Sequence, residues 1–148
     1  MGKSITRSIW SMIIINITIL IATVSIHELG HAFVGKLIGC VNAKAVIYDS
    51  SSSNPYTELL CDKNISTTYL AGLIFTTLFG LSFMFFDKNS QKALTLIIIG
   101  FGILLAALDM VEITGINLMK YVFIFFGLLS LVIGQVIYGI LTLKENVS

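Results

Sequence analysis

His27-Glu28-Leu29-Gly30-His31 stands inside an apolar segment long enough to cross a membrane, and no other feature constrains the chain as strongly. These two histidines are the only ones in the sequence. On a helix, residues i and i+4 share a face, so both imidazoles can reach one Zn2+. Glu28 then stands beside the metal, placed to activate a water. An intramembrane carboxylate costs roughly 2.5–3.5 kcal/mol on insertion scales. A metal site offsets that cost. A chance HExxH match, which a soluble chain would tolerate, is disfavoured here for the same reason.

Composition agrees with a chain buried in lipid. Of 148 residues, 56% are hydrophobic and 11% charged, and the mean hydropathy is +0.95. A soluble domain of this length carries far more charge. A net charge of +1 gives no reason to expect nucleic acid as a partner. Lys3, Arg7 and the run Ile9–Ile26 have the outline of a signal peptide, but no small-residue cleavage site follows. The segment therefore reads as a retained helix.

The expected architecture is an all-α polytopic membrane protein of about four transmembrane helices, with a small β-hairpin after the first. The charge-free stretches are 8–26, with the helix running on to about Ile38, then 64–86, 93–108 and 121–143. Polar turns are expected at 87–92 and 114–120. Trp10, Tyr121 and Tyr138 suit an aromatic belt. The chain reads as one membrane domain over 1–148, with a three-helix core at 8–118 and an accessory helix at 120–143.

Between the first two apolar stretches, Val41–Asp49 and Pro55–Cys61 read as two strands around the polar turn Ser50–Asn54. Cys40 and Cys61 flank this hairpin. They form a disulfide if that side faces an oxidising compartment, and stay free thiols if it is cytoplasmic.

Two histidines do not complete a catalytic zinc site, which takes three protein ligands and a water. Asp109 is the best third ligand, because it closes a run of 16 uncharged residues. Its depth can be tested. His27 lies 20 residues beyond Arg7, or about 30 Å along a helix, and Asp109 lies 17 beyond Lys92, or about 25 Å. The first and third helices run in the same direction, so both residues reach a similar level. Glu112, one turn further on, is an alternative ligand, a partner to the ligands, or an interfacial carboxylate. Cysteine ligation also remains open. Gly30, Gly35 and Gly39 recur at roughly helical spacing, which favours close helix packing over room for a substrate.

His-Glu-Leu-Gly-His-Ala in the first helix, with an aspartate near the end of the third, resembles the site-2 protease family of intramembrane zinc metalloproteases. The resemblance covers roughly Ile9–Leu118 and takes the minimal form, without PDZ or CBS domains. It implies hydrolysis of peptide bonds in or near transmembrane segments, with Glu28 as general base and His27, His31 and Asp109 on Zn2+. It also implies a small-residue motif at Leu70-Ala71-Gly72, and a strand at Gly39–Tyr48 offering its edge to an unwound substrate. Around Asp109 the family's Asn, Pro and Gly are replaced by Phe101, Leu104 and Met110.

A different membrane-embedded zinc enzyme, or a non-proteolytic zinc-binding membrane module, is the competing expectation. Closed structural sites need four protein ligands, and the sequence offers three. An ion path needs polar residues along the helices, and Gln135 is the one strongly polar side chain in the fourth stretch. Expected partners are a transmembrane protein substrate and the lipid bilayer of the cell membrane. Four helices are few to enclose a dry site, which leaves room for a homo-oligomer or a regulatory membrane partner. Lys and Arg number five on the N-terminal side and four on the motif side. That margin weakly places the N-terminal side in the cytoplasm, whereas the resemblance implies the reverse.

Overall fold

The structure, a computed structural model, describes residues 2–48, 55–61 and 66–145. Helix α1 spans Gly2–Leu37, strands β1 and β2 span Val41–Val46 and Tyr56–Leu60, and helices α2, α3 and α4 span Ser66–Ser82, Asn89–Thr114 and Asn117–Glu145. Among the described residues, four helices are long and apolar enough to cross a membrane. With the small hairpin after α1, this is the architecture expected from the sequence. The Ser50–Asn54 turn lies outside the described residues.

Helix α1 stops where backbone chemistry requires. Gly39 adopts φ +87°, which only glycine reaches without strain. The Gly39 N–H donates to the Lys36 carbonyl at 3.2 Å and the Cys40 N–H to the Gly35 carbonyl at 3.0 Å. That pair of bonds is a Schellman cap, and it satisfies carbonyls that the helix end leaves orphaned. Lys36 in the last turn also suits the negative end of the helix dipole. The cap turns the chain directly into β1.

The strands pair antiparallel, with Lys44 opposite Glu58 and Ala45 opposite Thr57. The register slips by one residue between Val41 and Lys44. Asn42, at φ +59°, occupies that bulge. The two cysteines are joined as Cys40–Cys61, with Cα atoms 4.4 Å apart, so the hairpin is covalently closed at its base.

Helix α3 is the centre of the bundle. Half of its membrane-length window is buried, against 11% for α1 and 17% for α4, so the outer helices present most of their apolar surface outward. Ile97 and Ile98 are fully enclosed beside Ile19, Leu94 and Tyr138. Tyr138 is thus a core residue rather than a belt residue, whereas Trp10 and Tyr121 are exposed. The backbones of α3 and α4 meet across glycines. A Cβ on Gly100 would stand 3.0 Å from the Gly127 carbonyl, and one on Gly134 would stand 3.0 Å from the Ile97 amide. Such approach is how helices associate where no hydrophobic force drives them. Ser130 adds an interhelical bond to the Leu96 carbonyl at 2.9 Å.

Two polar links tie the far ends together. Asn16 of α1 and Gln135 of α4 pair side chain to side chain, which accounts for the lone amide in the fourth apolar stretch. Glu145, at the end of α4, accepts from the Ser90 amide at 3.3 Å and the Ser90 hydroxyl at 2.7 Å. A carboxylate there satisfies donors at the N-terminus of α3 and suits its dipole. Both α3 and α4 exceed their apolar stretches. Helix α3 begins inside the expected 87–92 turn and runs to Thr114, so Asp109 lies within a helix, a turn before its end. Gly115, at φ +68°, closes it.

Leucine at position 127 should wedge α4 away from α3. The expected cost is about 1–3 kcal/mol from overpacking, read as a lower denaturation midpoint in detergent. Phenylalanine at exposed Leu128, the next position along, should be tolerated without that shift.

Candidate active site

The helical repeat places His27 and His31 one turn apart on the inner face of α1, and both are buried. Their Nε2 atoms lie 3.0 Å from each other. Asp109 Oδ2 lies 3.0 Å from His27 Nε2 and 3.3 Å from His31 Nε2. Residues 82 positions apart therefore converge on one point, at the common depth expected from the sequence. Glu112 is exposed and stands outside this group. Neither cysteine joins it, since each is taken by the other.

Three side-chain atoms in a triangle of this size suit a small cation. Around tetrahedral Zn2+, with bonds of about 2.0–2.1 Å, neighbouring ligand atoms are about 3.3 Å apart. The donor chemistry fits as well. His31 Nδ1 donates to the Thr68 carbonyl at 2.5 Å. That bond fixes the tautomer and leaves the Nε2 lone pair of the neutral ring turned toward Asp109, the arrangement metal-binding histidines use. His27 Nδ1 is buried and has no hydrogen-bond partner among the described residues.

Helix α2 forms the floor. Its Gly72 lies directly beneath both rings, where a Cβ would come within 2.5 Å of His31 Nε2 and 2.6 Å of His27 Cε1. The small-residue motif expected at Leu70-Ala71-Gly72 thus has a local reason: the rings occupy the volume of the missing side chain. Gly30 does the corresponding work from α1, where a Cβ would stand 2.9 Å from the Ala71 carbonyl oxygen. Gly35 is filled by Leu59 and Ala43 of the hairpin. Gly30 and Gly35 are therefore packing residues, as expected, while Gly39 serves the helix cap.

A cleft of about 470 Å3 opens beside the cluster. Val24 of α1 and Leu104, Leu105 and Leu108 of α3 give it apolar walls. Strand β2 covers the other side with Tyr56, Thr57 and Leu59. The strand expected to meet a substrate was the one after the motif helix, but β1 contributes nothing to this lining. The chain reverses through the hairpin, and it is the returning strand that lies over the motif.

Glu28 also lines the cleft. The Thr57 hydroxyl lies 2.7 Å from its Oε2 and 3.0 Å from its carbonyl oxygen. Sequence reasoning missed Thr57 and the Thr68 carbonyl. A backbone acceptor leaves no trace in residue identity, and a threonine in a strand is ordinary. Only the hairpin's placement over α1 singles Thr57 out.

A family model described as Peptidase M50B-like matches residues 5–144. The chain belongs to this family. The match spans all four helices, and it agrees with the site-2 protease resemblance at the level of the family. No curated protein and no solved structure matches the chain. Membership together with four spanning-length helices makes this an integral membrane protein of a peptidase family.

Alanine at position 72 should push both imidazoles out of register. Expected is at least a tenfold weaker hold on zinc, measured by chelator competition, with helix content unchanged by circular dichroism. Alanine at exposed Leu70 of the same helix should leave zinc affinity as it is.

Proposed function

We propose that the protein is an intramembrane zinc endopeptidase that hydrolyses peptide bonds in or near transmembrane segments of other membrane proteins. The observation that carries this reading is the meeting of His27, His31 and Asp109 beside a cleft that also contains Glu28. His27 and His31 would hold the zinc through Nε2 and Asp109 through Oδ2. When bound, Zn2+ polarises a carbonyl and lowers the pKa of water toward neutrality.

The chain's own residues supply the rest. Glu28 takes a proton from the attacking water as its oxygen bonds to the scissile carbonyl carbon. As the C–N bond breaks, Glu28 returns that proton to the leaving nitrogen, so it ends the cycle ionised as it began. The apolar walls at Val24, Leu104, Leu105 and Leu108 suit the side chains of a membrane segment. A helical substrate has its carbonyls already hydrogen-bonded and must unwind before one is free. Strand β2 beside the cleft offers backbone groups to an extended segment. The chain would sit in the cell membrane, and its hairpin end would face an oxidising compartment. The Cys40–Cys61 disulfide supports that orientation, and so does the slight excess of basic residues on the opposite side.

Purified protein should contain one zinc per chain. Glutamine at position 28 should keep the metal and lose cleavage of a single-span reporter substrate by on the order of 100-fold or more. Alanine at position 109 should lose zinc, and glutamine at 112 should not. Zinc-free but well-folded wild type, or cleavage by the Glu28→Gln variant at the wild-type rate, would sink the proposal. For orientation, a maleimide that cannot cross membranes should label the Cys40→Ser variant, through its freed Cys61, in intact cells. Protection until the cells are lysed would reverse the assignment.

A further inference from the structure

We propose that Thr57 is a positioning residue for the general base, holding Glu28 in its working rotamer from the hairpin side. This rests on the peptidase reading above and adds to it a residue outside the HExxH motif. A glutamate on a helix has three side-chain torsions, and ordering it carries an entropic cost. One hydroxyl donating to a carboxylate oxygen is a charge-assisted bond, about twice as strong as a neutral one. Here the Thr57 hydroxyl reaches Oε2 at 2.7 Å, which leaves Oε1 for the water. The same hydroxyl lies 3.0 Å from the Glu28 carbonyl, so it is registered against backbone as well as side chain.

Thr57 is itself held from several directions. In a strand, residues 57 and 59 share a face. On α1, residues 28 and 35 are seven apart and also share a face. Thr57 therefore meets Glu28 while Leu59 fills the space beside Gly35. Beyond Leu59, the strand is rooted at Cys61, which is bonded to Cys40. Cys40 is in turn fixed to the end of α1 by its bond to the Gly35 carbonyl. The path from α1 out to Thr57 and back to Glu28 is thus closed at every step by a covalent, hydrogen-bonded or packed contact.

The test compares Thr57→Val, Thr57→Ala and Thr57→Ser with wild type and Glu28→Gln in detergent, on a fluorogenic single-span peptide. Valine keeps the shape and removes the donor. Expected is a fall in kcat on the order of 10–100-fold, with KM, zinc content and melting temperature near wild type. Alanine should behave likewise without any risk of overpacking. Serine, which keeps the hydroxyl, should recover kcat to within about threefold. Wild-type or higher kcat in both valine and alanine variants would overturn the proposal. So would a loss matched by loss of zinc or of folded protein in both, since Thr57 would then be structural. If Glu28→Gln cleaves normally, the peptidase mechanism itself fails, and that result is distinct from a silent Thr57.

Discussion

Two imidazoles and a carboxylate stand inside a bundle of helices whose outer surface is lipid-like, and the rest of the structure answers that demand. Each polar atom withdrawn from water needs a partner, and the shortage of partners is most acute in a membrane. His31 Nδ1 finds one in the Thr68 carbonyl, and the three inward-facing atoms converge where one shared cation would satisfy them together. Other buried hydroxyls solve the same problem locally. Thr23 donates to the Ile19 carbonyl and Thr76 to the Gly72 carbonyl, each one turn back on its own helix.

Helix order follows from the same centre. For Asp109 to reach His27, α1 and α3 must come together at one level. Helix α2 therefore has to be thin where it passes beneath the rings, and Gly72 and Ala71 make it so. On the other side of α3, the glycine contacts with α4 need no chemistry and serve only adhesion. One face of α3 is thus shaped by the site and the other by packing. That division explains why it is the most buried of the four helices.

Much of this was legible in the sequence, for definable reasons. Charge is so costly in lipid that each ionisable residue within an apolar run carries information, and the rise of a helix converts position into depth. His27, His31 and Asp109 could be brought together on those two facts. Helix ends were less legible: α3 begins at Asn89, inside the stretch 87–92 expected as a turn, because polar residues at a helix start look the same in sequence as those of a turn. Tyr138 suits a belt by its place in the sequence yet is buried, since hydropathy does not say which way a tyrosine faces. The share of β2 in the cleft was hidden too. It depends on how a hairpin folds back over a helix, which is a tertiary matter that strand alternation does not encode.

The disulfide has a mechanical consequence. A loop joining two helices ordinarily has two separate anchors and can stretch or shift between them. Here both strands leave from one point, where the Cα atoms of Cys40 and Cys61 are 4.4 Å apart. That gives the hairpin a single narrow root. That root and the bond from Cys40 to the Gly35 carbonyl oppose any slide of the strands along α1, so Thr57 stays level with the turn of α1 that carries Glu28. One covalent bond thus sets the level of β2 against α1, and with it which residues of the returning strand line the cleft.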